Sequence, residues 1–417
     1  MGKKSFDSLI EAGLLEIGDG YRAKNDELGG DGPMFLRAGH VTDSHIDFSG
    51  VERFHRHLAA RVASKISCAG DTVITTKGNS TGRTSYVHDW MPSFVYSPHL
   101  CYWRSRDVNS IVPGFLRYWA QSNDFQSQLR AMSTSTDMAP YLSLTDQRRL
   151  SIDVPDISNQ RAIASILGTL DDKIELNRRM NETLEELART IFKSWFVDFD
   201  PVKAKVEGRK PEGMDAETAA LFPSRFVESE LGMIPEGWVV GRLDDLLVLQ
   251  RGFDLPTPLR TPGPYPVVAA SGPTGGHTEY KVKAPGVVTG RSGVLGRVFL
   301  VMEDFWPLNT ALWVKELKRA GAHYAYFVMQ RVDFSSYNAG SAVPTLNRNH
   351  VHGLPHLLPS ASAAMRFEML AQPLFTRKKY NVDESERLTS LRDSLLPKLI
   401  SGELRVPDAE KLAEAVL

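Results

Sequence analysis

The chain says the same thing twice, and this repetition restricts the folds open to it more than any other feature. "PYLSLTDQRRLSIDVP" (140–155) lies over "PTLNRNHVHGLPHLLP" (344–359) without a gap, matching Pro140, Leu142, Leu150 and Pro155 with Pro344, Leu346, Leu354 and Pro359. The same spacing continues, so that Asn177, Glu182, Leu184 and Leu187 match Asn381, Glu386, Leu388 and Leu391. Upstream, "TTKGNSTGRTSYV" (75–87) has a counterpart in "PGVVTGRSGVLGRVFLV" (285–301), with Lys77 on Arg291, Gly82 on Gly296, Arg83 on Arg297 and Val87 on Val301. Self-similarity on this scale implies two copies of one folding unit.

Each copy reads as an irregular β-rich module followed by one long helix. "GDTVITT" and "PSFVYSPHLCYW" in the first module, and "PYPVVAA", "GVVTG", "GRVFLV" and "NTALWVKEL" in the second, are β-branched and aromatic runs bounded by turn residues. After the first module, apolar and amide positions alternate in steps of four and three through Ile163, Leu167, Leu170, Ile174, Asn177, Asn181, Leu184, Ala188, Ile191 and Trp195. This is a heptad seam. A helix from about Ser158 to Phe196 spans on the order of 55 Å. The second seam runs Phe367, Leu370, Leu374, Arg377, Asn381, Glu384, Leu388, Leu391 and Leu395, with Pro373 expected to kink it. Stripes this long exceed what a small β-module can cover, so the two helices are expected to pack on each other. Asn177 and Asn381 would then be matched polar positions that fix register. The intervening "DFDPVKAKVEGRKPEGMDAETAALFPSRFVESELGMIPEGW" is rich in Pro, Gly and charge. It reads as a connector with little core of its own, ending where Trp238 packs the start of the second module.

With 417 residues and 42% apolar content the chain has ample material for two or three domains. A net charge of −1 argues against a protein that coats nucleic acid by charge alone. Charge is unevenly placed, however: Glu236 to Leu358 carries an excess of about three positive charges. Cys68 and Cys101 fit neither a disulfide framework nor a metal-ligand spacing, and both are expected to be small buried residues. His55 and His57 have no supporting ligand cluster, so no metal site is expected. No signal peptide or membrane span is legible, and a soluble, cytoplasmic protein is expected.

The stretch Thr75–Val87 is not a phosphate-binding loop, because Gly78 and Gly82 enclose three residues and Arg83, not Lys, follows. Methyltransferase, dinucleotide-binding and nucleophile-elbow patterns are likewise absent from the sequence. The chain therefore reads as non-catalytic. The alternative is a self-contained DNA-modifying or cleaving enzyme with an unrecognised motif.

Taken in order, "QRAIASILGTLDDKIELNRRMNETLEELARTIFKSWFVDFDP", "GMIPEGW", "VTGRSGVLGRV", "PTLNRNHV" and "LRDSLLPKLISGEL" resemble the DNA-specificity subunit of type I restriction-modification enzymes over nearly the whole chain. The resemblance implies an α+β architecture of two tandem target recognition domains, with the two helices packing antiparallel as a coiled-coil spacer. It places the first recognition domain at 1–157, the first spacer helix at 158–200, a connector at 201–235, the second recognition domain at 236–360, the second spacer helix at 361–404 and a tail at 405–417. Each recognition domain would read one half of a bipartite site in double-stranded DNA. The helices would dock modification subunits, two of them, which bring S-adenosylmethionine, and restriction subunits that use ATP and Mg would join the complex. The chain itself would hold no cofactor.

Base reading needs side chains that offer donor and acceptor patterns, Arg or Lys to guanine and Asn or Gln to adenine, on a backbone able to approach the groove. The glycine-flanked basic stretches supply Lys77, Asn79, Ser80 and Arg83 in the first copy and Arg291, Ser292 and Arg297 in the second. Polar loops at matching places add Thr134 and Ser135, and Asn347 and Arg348. The same glycines also suit an ordinary β-turn whose Arg serves the strand.

Overall fold

The computed structural model describes residues 3–42, 45–133, 141–334 and 345–416. The chain divides into two compact units: Met1–Glu175 with Glu384–Leu417, and Leu176–Asp383. Both boundaries fall inside the long helices, so each unit holds one β-module and half of each helix.

The first module contains β1 (Lys4–Ser5), α1 (Phe6–Glu11), β2 (Leu15–Asp19), β3 (Met34–Leu36), α2 (Ala59–Val62), β4 (Thr72–Thr75), β5 (Thr84–Tyr86), β6 (Phe94–Tyr96), β7 (Leu100–Ser105), α3 (Pro113–Trp119), α4 (Asn123–Ser133), α5 (Leu144–Arg149) and β8 (Ser151–Ile152). A four-stranded sheet runs β2-β7-β4-β5, β3 pairs parallel with β6, and β1 closes antiparallel on β8. β4 is buried along its whole length, as its unbroken Thr-Val-Ile-Thr run requires. Phe6, Trp103, Trp119 and Phe125 pack ring to ring with centroids 5.0–5.8 Å apart, and Trp103 donates its indole hydrogen to Gln147 at 2.8 Å.

The second unit begins inside α6 (Ile157–Phe196) and continues with α7 (Asp200–Val206), α8 (Ala216–Ala220) and a hairpin of β9 (Phe226–Ser229) and β10 (Gly232–Pro235). Then come β11 (Val239–Arg242), β12 (Leu247–Arg251), β13 (Tyr265–Ala269), β14 (Gly272–His277), β15 (Gly286–Gly290), β16 (Val298–Val301), β17 (Trp306–Pro307), β18 (Ala311–Leu317), α9 (Ala322–Gln330), α10 (Arg348–His352) and β19 (Pro355–Leu358). Its sheets repeat the first module: β12-β18-β15-β16 in one, β13 parallel with β17, and β11 antiparallel on β19. The close approaches repeat too. A Cβ on Gly20 would sit 1.9 Å from the Ser97 carbonyl oxygen, and one on Gly252 2.2 Å from that of Leu308. Neither position has room for any other residue.

The chain ends with α11 (Ala361–Ser401) and α12 (Val406–Glu414). Within the first unit, Ile163, Leu167 and Leu170 of α6 share a core with Leu388, Leu395 and Leu399 of α11, while Ile174 and Leu391 pack at its edge. Asp171, 7% exposed, accepts from Arg117 at 2.5 Å, Tyr118 at 2.8 Å and Arg392 at 2.7 Å. Within the second unit, Asn381 donates to Asn181 at 2.9 Å, Lys378 pairs with Glu185, and Phe367 meets Phe192 at 5.7 Å. In each unit, contacts further along α6 fall earlier on α11. Asn177 and Asn381 are both fully buried, while Leu184 and Ile191 are half-buried.

Three expectations need correcting. Leu370 and Arg377 lie on the exposed side of α11, and Ala371 and Phe375 are buried instead, because this stretch faces the aromatic core of α9 as well as the other helix. The connector is not bare linker: Val202 and Phe222 are buried, and the Trp238 ring packs against Phe196 at a tilt and edge-on to Phe199, with centroids 5.8 and 5.7 Å away. Cys68 is exposed in a turn whose amide donates to Asp71, and only Cys101 is buried. α11 runs through Pro373 as one helix.

Candidate nucleic-acid interface

The basic, glycine-flanked stretches form the tips of equivalent hairpins, β4–β5 and β15–β16, each at one side of its four-stranded sheet. In both, a threonine at the end of the inner strand fastens the neck. Thr75 donates its amide to the Arg83 carbonyl at 2.9 Å, and Thr289 donates its hydroxyl to the Arg297 carbonyl at 2.9 Å. Gly78 and Gly82 turn the first tip with φ of +82° and +90°, Gly293 and Gly296 the second with +88° and +83°. Left-handed backbone at these four places explains why glycine recurs there.

A second segment is stitched to each tip. Lys77 bridges Tyr141, and the Leu142 amide donates to the Thr76 carbonyl at 2.9 Å. Ser292 bridges Thr345, and the Leu346 amide donates to the Arg291 carbonyl at 2.8 Å. In the second copy these backbone bonds place the segment that leads into Asn347 and Arg348 beside Arg291 and Ser292, and in the first they place Tyr141 and Leu142 beside Thr76 and Lys77. The second copy makes its bonds one residue further along the tip, which offsets the side chains that the two tips present.

Lys77 and Asn79 are exposed, and Ser80 is half-buried, with its carbonyl accepting from Thr75 Oγ1. Arg83 is half-buried and donates to the Val41 carbonyl at 3.1 Å. Arg291 is half-buried beside the Asn309 carbonyl at 3.3 Å, Ser292 is half-buried, and Arg297 is exposed, 3.5 Å from the Ser271 carbonyl. Asn347 caps α10 by accepting from the Asn349 amide at 3.0 Å, and the exposed Arg348 begins that helix. Thr134 and Ser135 lie outside the described residues.

Two features escaped the sequence reading. Tyr141, 59% exposed, stands beside Lys77 where the second copy has Thr345, so an aromatic replacing a threonine between copies was the available signal. The carbonyl of Thr310 accepts from the amides of Arg291 and Ser292 at 2.9 and 3.0 Å and so sets the second tip, a long-range bond with no sequence signature. Among the described residues, no group of three or more His, Cys, Asp or Glu is placed to hold a metal ion, and no helix is long and apolar enough to cross a membrane.

Comparison with known proteins agrees with this geometry. Residues 20–186 match the family model of the type I restriction modification DNA specificity domain. The chain is 25% identical to the type I restriction enzyme HindI specificity subunit of Haemophilus influenzae, over 89% of this chain and 94% of that protein. It is 26% identical to the type I restriction enzyme MjaIX specificity subunit of Methanocaldococcus jannaschii, over 72% of this chain and 71% of that one. The crystal structure of the type I restriction-modification S subunit from M. genitalium shares the fold with a TM-score of 0.60 at 16% identity, covering 95% of both chains. Residues 20–186 are therefore similar to a type I restriction modification DNA specificity domain, and the chain as a whole is similar to the specificity subunits of type I restriction enzymes.

Proposed function

We propose that this chain reads a bipartite DNA sequence, one half-site per module, and holds the two readers apart on a spacer made by α6 and α11 running antiparallel. The observation that carries this reading is the duplicated hairpin. Two tips built on equivalent four-stranded sheets, each turned by two glycines and stitched to equivalent segments, present different side chains: Lys77, Asn79, Ser80 and Tyr141 in one, Arg291, Ser292, Asn347 and Arg348 in the other. A common frame with divergent tips suits two readers of different half-sites, since base contacts specify while shared contacts position. Arg83 and Arg297, common to both copies, fit the positioning role.

The long helices supply the docking surface for modification subunits, two of them, which bring S-adenosylmethionine, and restriction subunits supply ATP-driven cleavage with Mg. The complex works in the cytoplasm, where the DNA is. The test is to purify the chain with the methyltransferase encoded beside it and map the methylation it deposits on genomic DNA. A motif in two parts with a fixed gap is expected. Failure to assemble, methylation by the chain alone, or one continuous motif would overturn the proposal.

A further inference from the structure

The second unit contains a cavity of about 510 Å³ that includes none of the hairpin-tip residues. Its floor is aromatic and aliphatic, with Phe192, Phe196, Tyr324 and Val328. One wall is the β9–β10 hairpin through Leu231, Met233 and Ile234, and another is β19 through His356 and Leu357. Three polar features are set into this apolar surface. The His356 Nε2 is buried without a hydrogen-bond partner among the described residues. Arg331 is exposed at the rim and forms no ion pair with any described residue. Asp333, on the same rim, is engaged in an interaction of its own.

The first copy differs at the corresponding place. His356 matches Ile152 in the repeat, and Ile152 is 1% exposed in a core shared with Ala409 and Ala413 of α12. One copy closes this place with its own apolar side chains, and the other leaves a cavity with a cation at its mouth. The apolar surface also extends outward, since Leu231 is 48% and Met233 58% exposed. Among the described residues, strands β10 and β19 each have a strand partner on one side only, leaving backbone groups on their other edges.

We propose that this cavity is a socket for an extended segment of a partner protein that presents a bulky apolar side chain within a residue or two of a carboxylate. The apolar group fills the floor, the carboxylate meets the Arg331 guanidinium, and the His356 ring bonds the segment's backbone. The volume lies in the range of ordinary ligand sites, and an apolar anchor beside an arginine is a frequent source of interface affinity. A peptide fits better than a small molecule because the open strand edges and the exposed Leu231 and Met233 continue the surface beyond the cavity. The inference rests on the proposed function in one respect: it takes the modification subunit as the partner.

The experiment titrates the full-length chain with the purified modification subunit and, separately, with DNA, for wild type and for Val328→Trp, Arg331→Glu and Met233→Asp. Val328→Trp fills the floor, while the other two change exposed positions and leave the core intact. Each is expected to weaken assembly at least tenfold with DNA affinity unchanged, and Arg331→Lys is expected to restore most of the loss. Wild-type assembly with all three variants equally tight overturns the socket. So does a small molecule retained in the cavity by native mass spectrometry while assembly is unaffected. A wild-type chain that does not assemble overturns the proposed function, and this inference with it.

Discussion

Matching residues need not have matching duties, and the arginine pair at the hairpins gives a test. Arg83 is half-buried with its guanidinium 3.1 Å from the Val41 carbonyl, whereas Arg297 is exposed and 3.5 Å from its carbonyl neighbour. Losing a charged donor to a buried carbonyl costs ~1–2 kcal/mol, so Arg83→Ala should lower the melting temperature by a few degrees. Lys77→Ala and Arg297→Ala should leave stability unchanged, weaken DNA binding and reduce the salt dependence by about one charge each. An unaltered salt slope in Lys77→Ala would remove that side chain from the interface. A different signature belongs to His356, whose imidazole is pushed down to about 4 by burial, with the Arg331 charge adding to the effect. The unfolded chain binds that proton near pH 6.5. Stability from the neutral ring is therefore complete above about pH 6.5 and lost as pH falls toward 4, on the order of 3 kcal/mol in all. Urea unfolding of His356→Phe across this range should show a shallower pH dependence than wild type, and equal slopes would contradict the assignment.

Among elements, the joint between the first module and the helices carries the clearest energetic claim. Asp171 receives two guanidiniums and a phenol at 2.5–2.8 Å while only 7% exposed. Asp171→Ala strands two partly buried arginines and should cost ~3–5 kcal/mol in chemical denaturation. Removing the exposed Glu182, which pairs with Arg178 one turn away, should cost under ~0.5 kcal/mol. If the two substitutions cost the same, the Asp171 cluster is not a structural joint. The contrast also shows what a sequence discloses. The seam of α6 was legible because heptad spacing is local, and the hairpin tips were legible because they occur twice. Asp171 was silent, since Arg117 and Arg392 reach it from distant parts of the chain. The seam of α11 slipped at Leu370 because a helix that faces both a module and another helix obeys two periodicities. Tyr141 was visible only as a difference between copies, and its place beside Lys77 needed the bridge between segments. The core role of the connector was hidden by its Pro- and charge-rich composition, which masks Val202 and Phe222.

At the scale of the molecule, duplication separates two properties that one reader would have to combine. On the two-reader proposal, what each half-site is would depend on the tips, and how far apart the half-sites lie would depend on the helices. Under the two-reader proposal these can be changed independently. One heptad inserted in α6 and one at the facing position of α11 keeps the apolar seam in phase and lengthens the pair by about 10 Å. At ~3.4 Å of duplex per base pair, the unread gap should widen by about three base pairs with both half-sites unchanged. Methylation mapping with the lengthened chain reads gap and half-sites in one experiment. An unchanged gap would mean the helices do not set the distance. A changed half-site would mean that the tips take their geometry from the helices rather than from the sheets on which they stand.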